Sequence, residues 1–353
     1  MKKILYISNI QVPYRVKFFN ELSKYCDLTV LYERKNSTNR DIKWSKSEED
    51  KYKVIFLNGF KIGNENGFSF KIIKYLLEDY DEIVLGCYNS FSQMFANLFL
   101  RIIRKKFFIN FDGEIFVDGN NIKSILKRFF IKGAKEYLIA GECAAQSLKK
   151  IVKNKRIYTY YFSSILKQEL IENACARKKE KKEGILVIGQ YFPFKGLDIA
   201  VESAKKLPNI KFKFIGTGNR TDLFIKENNI KDSNNIEVIP FLKKEDLKEE
   251  YRKCRLFVLP SRQECWGLVI NEAASFGTPI ISTYGSGAAI EFLSEKYKKY
   301  LVNPESVEEL IEAIKEVWTI DKNKEYSEYL IEKSKKYNIE DSVKYHLKAF
   351  EII

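Results

Sequence analysis

The stretch from Phe257 to Glu291, FVLPSRQECWGLVINEAASFGTPIISTYGSGAAIE, constrains this chain more than any other part of it. A short apolar strand, Leu256 to Leu259, ends at Pro260-Ser261, and a polar loop carrying Glu264 follows. Gly267 then opens an apolar-faced helix with Glu272 at its middle. Gly277 and Pro279 stop that helix, glycine just past the end and proline beyond it. A second buried strand, Pro279 to Thr283, runs into the glycine-bearing turn Gly285-Ser286-Gly287. Two carboxylates eight positions apart thus flank a helix N-terminus, whose free N–H groups and dipole favour an anion.

Carboxylates beside an anion site repel the anion unless the ligand carries more than phosphate. A sugar nucleotide meets that condition. Its phosphates can sit on the N–H groups of Gly267, Leu268 and Val269 while Glu272 accepts hydrogen bonds from ribose hydroxyls and Glu264 faces the sugar. The segment resembles the E-x7-E motif of retaining glycosyltransferases with the two-domain GT-B fold, most closely glycosyltransferase family 4 of the bacterial surface-polysaccharide type. The plainer alternative is an ordinary strand–helix–strand unit with two surface glutamates.

Strands and helices alternate almost throughout the 353 residues, which predicts an α/β chain of parallel sheets covered on both faces. In the first half Ile4–Ser8, Leu28–Tyr32, Val54–Leu57, Ile83–Cys87, Phe107–Phe111 and Tyr137–Ala140 read as buried strands. Helices are expected over Val16–Tyr25, Phe70–Leu77, Phe91–Arg104, Ile122–Ile131 and Ala144–Val152. The charge run RKKEKKE, Arg177–Glu183, reads as a linker, after which Gly184–Gly189 restarts the alternation with Ile210–Ile215, Ile236–Pro240, Leu256–Leu259 and Ile280–Thr283. Two tandem Rossmann-like domains are expected, residues 1–170 on the acceptor side and residues 184–338 binding the nucleotide sugar, with a cleft between them. The tail reads as helices over Val307–Trp318, Tyr326–Lys335 and Ile339–Ile353, and the GT-B resemblance implies that the last of them, residues 339–353, crosses back onto the first domain.

The segment GQYFPFKGLDIAVESAKKLP, Gly189–Pro208, resembles the family's G-R-x-x-x-x-K-G turn, in which arginine and lysine hold the donor diphosphate. Lys195 matches the lysine, and Gln190 stands where arginine is usual, so one charged contact becomes at most a neutral hydrogen bond. Gly216 and Gly218 end the next strand; Arg220 occupies the place of a third fingerprint glycine, so the turn fits either the family's donor-approach turn or a plain strand-to-helix turn. Phe241 lies where family members close over the nucleobase, with core packing as the alternative.

Near the start, SNIQVPYRVKFFNEL resembles the first-strand loop of members that extend surface polysaccharides, which puts Tyr14 and Arg15 on the acceptor side; an N-cap salt bridge is the other reading of Arg15. Many members carry a cleft histidine in this domain, whereas the single histidine here is His346 in the terminal helix. The loop NFDGE, Asn110–Glu114, offers Asp112 and Glu114 toward the transferred sugar or the acceptor hydroxyl instead, although Asp-Gly is also a good turn.

The composition closes off other classes. No apolar run reaches the roughly 18 residues that a membrane span needs. MKKILYISNI has only a strand-length apolar segment, which argues against a signal peptide. Six cysteines without a C-x-x-C pair fit a reducing cytoplasm, and one histidine argues against zinc chemistry and His-based acid–base catalysis. The formal net charge of +14 draws anionic partners, but no nucleic-acid module accompanies it, so a basic nucleic-acid-binding protein rests on charge alone. Two helical segments pair apolar stripes with Arg101, Arg104, Lys105, Lys106 and with Lys123, Lys127, Arg128, Lys132. Their stripes are expected to face the core and their basic sides an anionic membrane surface.

The expectation is therefore a retaining transferase moving a hexose from a nucleotide-diphosphate donor to a saccharide or lipid-linked acceptor. Lys195 and the helix amides would stabilise the leaving diphosphate, with no metal and no cofactor. The protein would be cytoplasmic, at the inner membrane face where its acceptor is lipid-linked. A GT-B sugar-nucleotide epimerase or phosphorylase shares the architecture; epimerases lack the E-x7-E loop, and phosphorylases need a pyridoxal lysine in a much longer chain.

Overall fold

The computed structural model describes the chain except residues 36–48, 58, 63–65, 115, 117–120, 177–181 and 319–322. Most of the expected linker, residues 177–181, lies outside the described residues, and Glu183 at its end already belongs to a strand. The chain divides into two compact units, Met1–Ser164 with Ile339–Ile353, and Ile165–Asn338.

In the first unit, strands β1 (Lys3–Ile10), β2 (Asp27–Arg34), β3 (Lys53–Phe56), β6 (Glu82–Leu85), β7 (Phe108–Phe111), β8 (Glu136–Ala140) and β9 (Arg156–Tyr160) form one parallel sheet in the order β3-β2-β1-β6-β7-β8-β9. A small antiparallel pair, β4 (Phe60–Ile62) and β5 (Asn66–Phe68), stands apart from it. Ile4 to Ile7 of β1 are wholly buried, as a parallel strand covered on both faces requires. Helices α1 (Pro13–Leu22), α2 (Ile72–Leu77), α3 (Phe91–Ile102), α4 (Ile122–Ile131) and α5 (Glu142–Ile151) alternate with the main strands. Pro13 starts α1 earlier than the apolar periodicity suggests, because its fixed φ suits a helix N-terminus.

The second unit repeats the plan. Strands β10 (Glu183–Ile188), β11 (Phe212–Ile215), β12 (Ile236–Ile239), β13 (Cys254–Leu259), β14 (Ile280–Thr283) and β15 (Leu301–Val302) form a parallel sheet ordered β12-β11-β10-β13-β14-β15. Around it run α6 (Lys167–Ala176), α7 (Leu197–Lys205), α8 (Thr221–Glu227), α9 (Lys244–Lys253), α10 (Leu268–Ser275), α11 (Gly287–Leu293), α12 (Val307–Val317) and α13 (Asn323–Ser334). The last helix, α14 (Ile339–Ala349), belongs to the first unit, where Lys2 Nζ donates to the carbonyl of Phe350 at 2.7 Å.

One expectation is corrected. The apolar stripe of α4 does not face the core: only Phe130 and Ile131 are buried, while Ile122, Ile125, Leu126 and Phe129 are exposed. In α3 the expectation holds in part: Ala96 and Leu100 are buried and Met94, Phe95 and Phe99 pack against the core, while Ile102 and Ile103 lie outside.

Candidate functional site

The strand order of the second unit reverses between β10 and β13, because β11 follows β10 to one side and β13 begins the other. Ligands of open α/β sheets bind in the crevice beyond the strand C-termini at such a point. Both of its loops carry residues singled out from the sequence.

Beyond β10, Pro193–Lys195 form a single turn of 3₁₀ helix, and Gly196 follows at φ +63°. A Cβ at Gly196 would lie 2.0 Å from the carbonyl oxygen of Pro260, so glycine lets this turn rest directly on the end of β13. The amides of Arg262 and Gln263 donate to the carbonyl of Phe194 at 2.8 and 3.1 Å. The contact brings Lys195 Nζ onto a carboxylate oxygen of Glu264, with both side chains about four-fifths buried. Two residues 69 positions apart, each read separately as part of a donor site, thus form one ion pair.

Glu264 is held from the other side by its amide, which donates to the carbonyl of Gly285 at 2.8 Å. Gly267 (φ +99°) turns the chain into α10, and a Cβ there would meet Ser286 Oγ at 2.8 Å. Ser286 Oγ itself donates to the carbonyl of Trp266 at 2.7 Å and caps α11. The amides of Leu268 and Val269 open α10 ahead of its intrahelical bonds, the arrangement that favours an anion. Thus the Gly285–Gly287 turn, expected only as a turn, also starts a helix and braces the Glu264 loop.

Glu272 lies one turn further along α10, half-buried, and accepts a hydrogen bond from the Tyr251 hydroxyl at 2.9 Å. Burial, reinforced by the Glu272 carboxylate, holds the Tyr251 phenol well above its ordinary pKa, so it stays a donor. Tyr251 is stacked on Phe276 at 5.9 Å, which fixes its ring. The sequence reading passed over Tyr251 within an acidic helix; its only signal there is a large aromatic among charges.

Arg262 was missed as well. Its guanidinium grips both oxygens of Asp198 at 2.7 Å, donates to the carbonyl of Pro193 and reaches Glu305 at 2.6 Å. Burial works against ionisation of Asp198, but the Arg262 hydrogen bonds outweigh it and hold the carboxyl below its usual range. This clamp ties the Lys195 turn to the Glu264 loop. Near Gln190, Arg220 supplies a charge from the neighbouring strand end: its guanidinium lies 4.1 Å from the Phe192 ring centroid and donates to the carbonyl of Tyr191 at 3.3 Å. Gly216 (φ +97°) packs against Gly189, Gly218 (φ +61°) faces open space, and Phe241 beyond β12 is half-buried.

The residues expected on the acceptor side lie in the first unit. Arg15, buried in α1, places Nη2 2.5 and 2.6 Å from the two oxygens of Asp112 at the end of β7. Burial opposes the Arg15 charge, but Asp112 outweighs it and pushes the pKa further up. Tyr160 Oη and Asn110 Nδ2 also lie 3.0 and 3.1 Å from Asp112. Glu114 is separate, accepting from Tyr88 Oη at 2.9 Å and from Lys127 Nζ at 2.7 Å. Tyr14 packs edge-on against Phe162 at 5.7 Å. His346, placed far from this loop in sequence, comes to it: Nδ1 lies 2.8 Å from the carbonyl of Ser342 and Nε2 faces the Asn110 amide at 3.2 Å. Full burial pushes its pKa down to about 3, so it is neutral and stands behind Asp112 through Asn110.

Residues 171–337 match the family described as Glycosyl transferases group 1. An uncharacterised glycosyltransferase of Methanocaldococcus jannaschii is 28% identical over 236 residues, covering 65% of this chain and 64% of that protein. An alpha-galactosylglucosyldiacylglycerol synthase of Streptococcus pneumoniae is 29% identical over 157 residues, covering 40% and 41% respectively. The solved structure of Anabaena HepE, in complex with UDP and glucose, superposes with a TM-score of 0.74 at 13% identity, covering all of both chains. The fold is therefore the two-domain α/β GT-B fold. Residues 171–337 of the second unit thus match a group 1 glycosyl transferase domain. The chain spans less than two thirds of the curated relatives it matches.

Proposed function

We propose that the protein is a retaining glycosyltransferase of family 4 that moves a hexose-type sugar from a nucleotide-diphosphate donor to a saccharide acceptor. The observation that carries this reading is the Lys195–Glu264 pair at the switch point of the second sheet, beside the α10 N-terminus. A lysine and helix amides suit a diphosphate, and a carboxylate beside them suits sugar hydroxyls. In this scheme Lys195, with the amides of Gly267, Leu268 and Val269, takes up charge growing on the departing diphosphate, which needs no metal. Glu272, aimed by Tyr251, holds the ribose. Glu264 orients the transferred sugar, Gly216 and Gly218 leave room for the donor, and Phe241 lies beside the base. Arg15, Tyr14, Asp112 and Glu114 serve the acceptor, with Arg15 acting through Asp112 rather than alone.

The acceptor is a lipid-linked glycan of cell-surface polysaccharide synthesis at the cytoplasmic membrane face. The net charge of +14 supports an anionic surface, and the streptococcal relative is named for a glycolipid product. No described helix is long and apolar enough to cross a membrane.

Calorimetric titration with UDP, GDP and ADP tests the donor reading. One of them binds the wild type and binds Lys195→Ala at least tenfold more weakly; binding by none, or equal binding to both proteins, refutes it. Retention is read by proton NMR from the anomer first released on slow donor hydrolysis: an α-donor yields the α-sugar first, and the β-sugar first excludes retention.

A further inference from the structure

We infer that α4 is a membrane-inserting helix, whose exposed apolar face enters the headgroup region of an anionic bilayer. This deepens the membrane reading above by naming the surface and its mode of contact, and it does not depend on which sugar is transferred. On α4, Ile122 is 85% exposed, Ile125 55%, Leu126 49% and Phe129 45%. Their spacing of three, four and seven residues puts them on one helical face, and Ile102 at the end of α3 is 77% exposed. A protein surface keeps such residues together only where a partner covers them.

The surrounding charge selects the partner. Neither α3 nor α4 contains an Asp or Glu. Arg101, Arg104, Lys106, Lys123 and Lys132 are exposed around the apolar residues. The two helices are joined here, since Arg101 lies over the Phe129 ring at 4.5 Å and Asn97 Nδ2 donates to the carbonyl of Phe130 at 3.0 Å. An apolar strip on helices that carry cations and no carboxylate of their own fits anionic lipid: the acyl boundary takes the isoleucines and phenylalanine, and the headgroups take the lysines and arginines. Arg and Lys stems can lie along the strip while their charges reach outward. A second copy of this chain would set the same cations against each other, which works against a dimer through this face.

The helix also leads toward the acceptor side of its own unit. Lys127 turns inward from the strip and pairs with Glu114 at 2.7 Å, crossing the Tyr88 and Phe116 rings. A membrane bound by α4 would therefore lie one side chain away from a carboxylate assigned to the acceptor.

The test uses the full chain with vesicles of phosphatidylglycerol or phosphatidylcholine. Ile122→Trp reports insertion: its emission shifts to the blue with phosphatidylglycerol vesicles and is quenched by brominated acyl chains. Ile125→Ser/Phe129→Ser, checked for unchanged thermal unfolding, loses at least tenfold in vesicle partitioning. Lys123→Glu/Lys132→Glu loses as much at low salt. If the serine variant binds like the wild type and the indole introduced by Ile122→Trp stays unquenched, the inference fails, even where salt-sensitive binding leaves the broader membrane reading standing. A dimer without lipid that the serine variant dissolves, with no vesicle binding, also overturns it in favour of self-association.

Discussion

Neutralising Glu264 should strengthen binding of a bare nucleoside diphosphate while weakening sugar transfer. Lys195 Nζ is held by the Glu264 carboxylate, and an incoming diphosphate must compete for it. A hydrogen bond between charged groups contributes about 1.5–3 kcal/mol, set against the hydration that the freed lysine regains. Glu264→Gln keeps the shape and removes the charge. Recovering roughly half of the smaller figure, about 0.75 kcal/mol, tightens the dissociation constant by roughly three- to fourfold. Lys195→Ala should weaken it by roughly tenfold to a hundredfold, the same bond lost outright. In the Lys195→Ala background the gain from Glu264→Gln should shrink below half, because the competitor has nothing left to compete for. Calorimetry with UDP, or whichever diphosphate binds, measures all four proteins, and NMR follows transfer or donor hydrolysis. Transfer by Glu264→Gln should fall well below wild type despite tighter nucleotide binding. Equal losses in affinity and transfer, or an undiminished gain without Lys195, would show that the ion pair is not part of the donor site.

Glu272→Ala should cost donor binding about 1.5–3 kcal/mol if its carboxylate holds ribose, and Tyr251→Phe should lose a smaller part of that with little change in maximal rate; unchanged affinity in both by calorimetry refutes the pairing. The folded pKa of His346 near 3 lies below the ordinary 6.5, so the unfolded chain gains a proton first as pH falls. Its contribution to stability is intact above about pH 6.5 and is lost at about 1.4 kcal/mol per pH unit toward pH 3. Urea unfolding of wild type and His346→Gln should show this slope only in the wild type; identical slopes sink the assignment. On the proposal that Lys195 and helix amides neutralise the diphosphate, transfer should survive chelation; complete, reversible loss in EDTA argues otherwise.

The repeated parallel sheets were legible from the chain because buried strands such as Ile4–Ile7 are nearly continuous apolar runs with helices between them. Less regular elements escaped. β9, RIYTY, is a half-buried edge strand that mixes charge with aromatics, β15 has two residues, and α6 and α11 lack a long apolar period. The glycines were readable as turns, but not the reason each is needed. At Gly196 that reason is the carbonyl of Pro260, 64 positions away.

By itself the sequence determined the kind of chemistry available: a lysine after one strand, two glutamates flanking a helix start, and glycines where side chains would block approach. Local spacing suffices for that, since strand, loop and helix N-terminus are set by neighbours within a dozen residues. Tertiary structure alone decided which groups share a charge, because pairing depends on distances that sequence separation does not encode. Lys195 meets Glu264, Tyr251 meets Glu272, Arg15 meets Asp112, and the lone His346 returns from the far end of the chain to stand behind Asn110. It also turned the α4 stripe outward. A helical period of apolar residues states only that one face is greasy, and whether that face meets a sheet or a membrane depends on what the rest of the fold leaves uncovered.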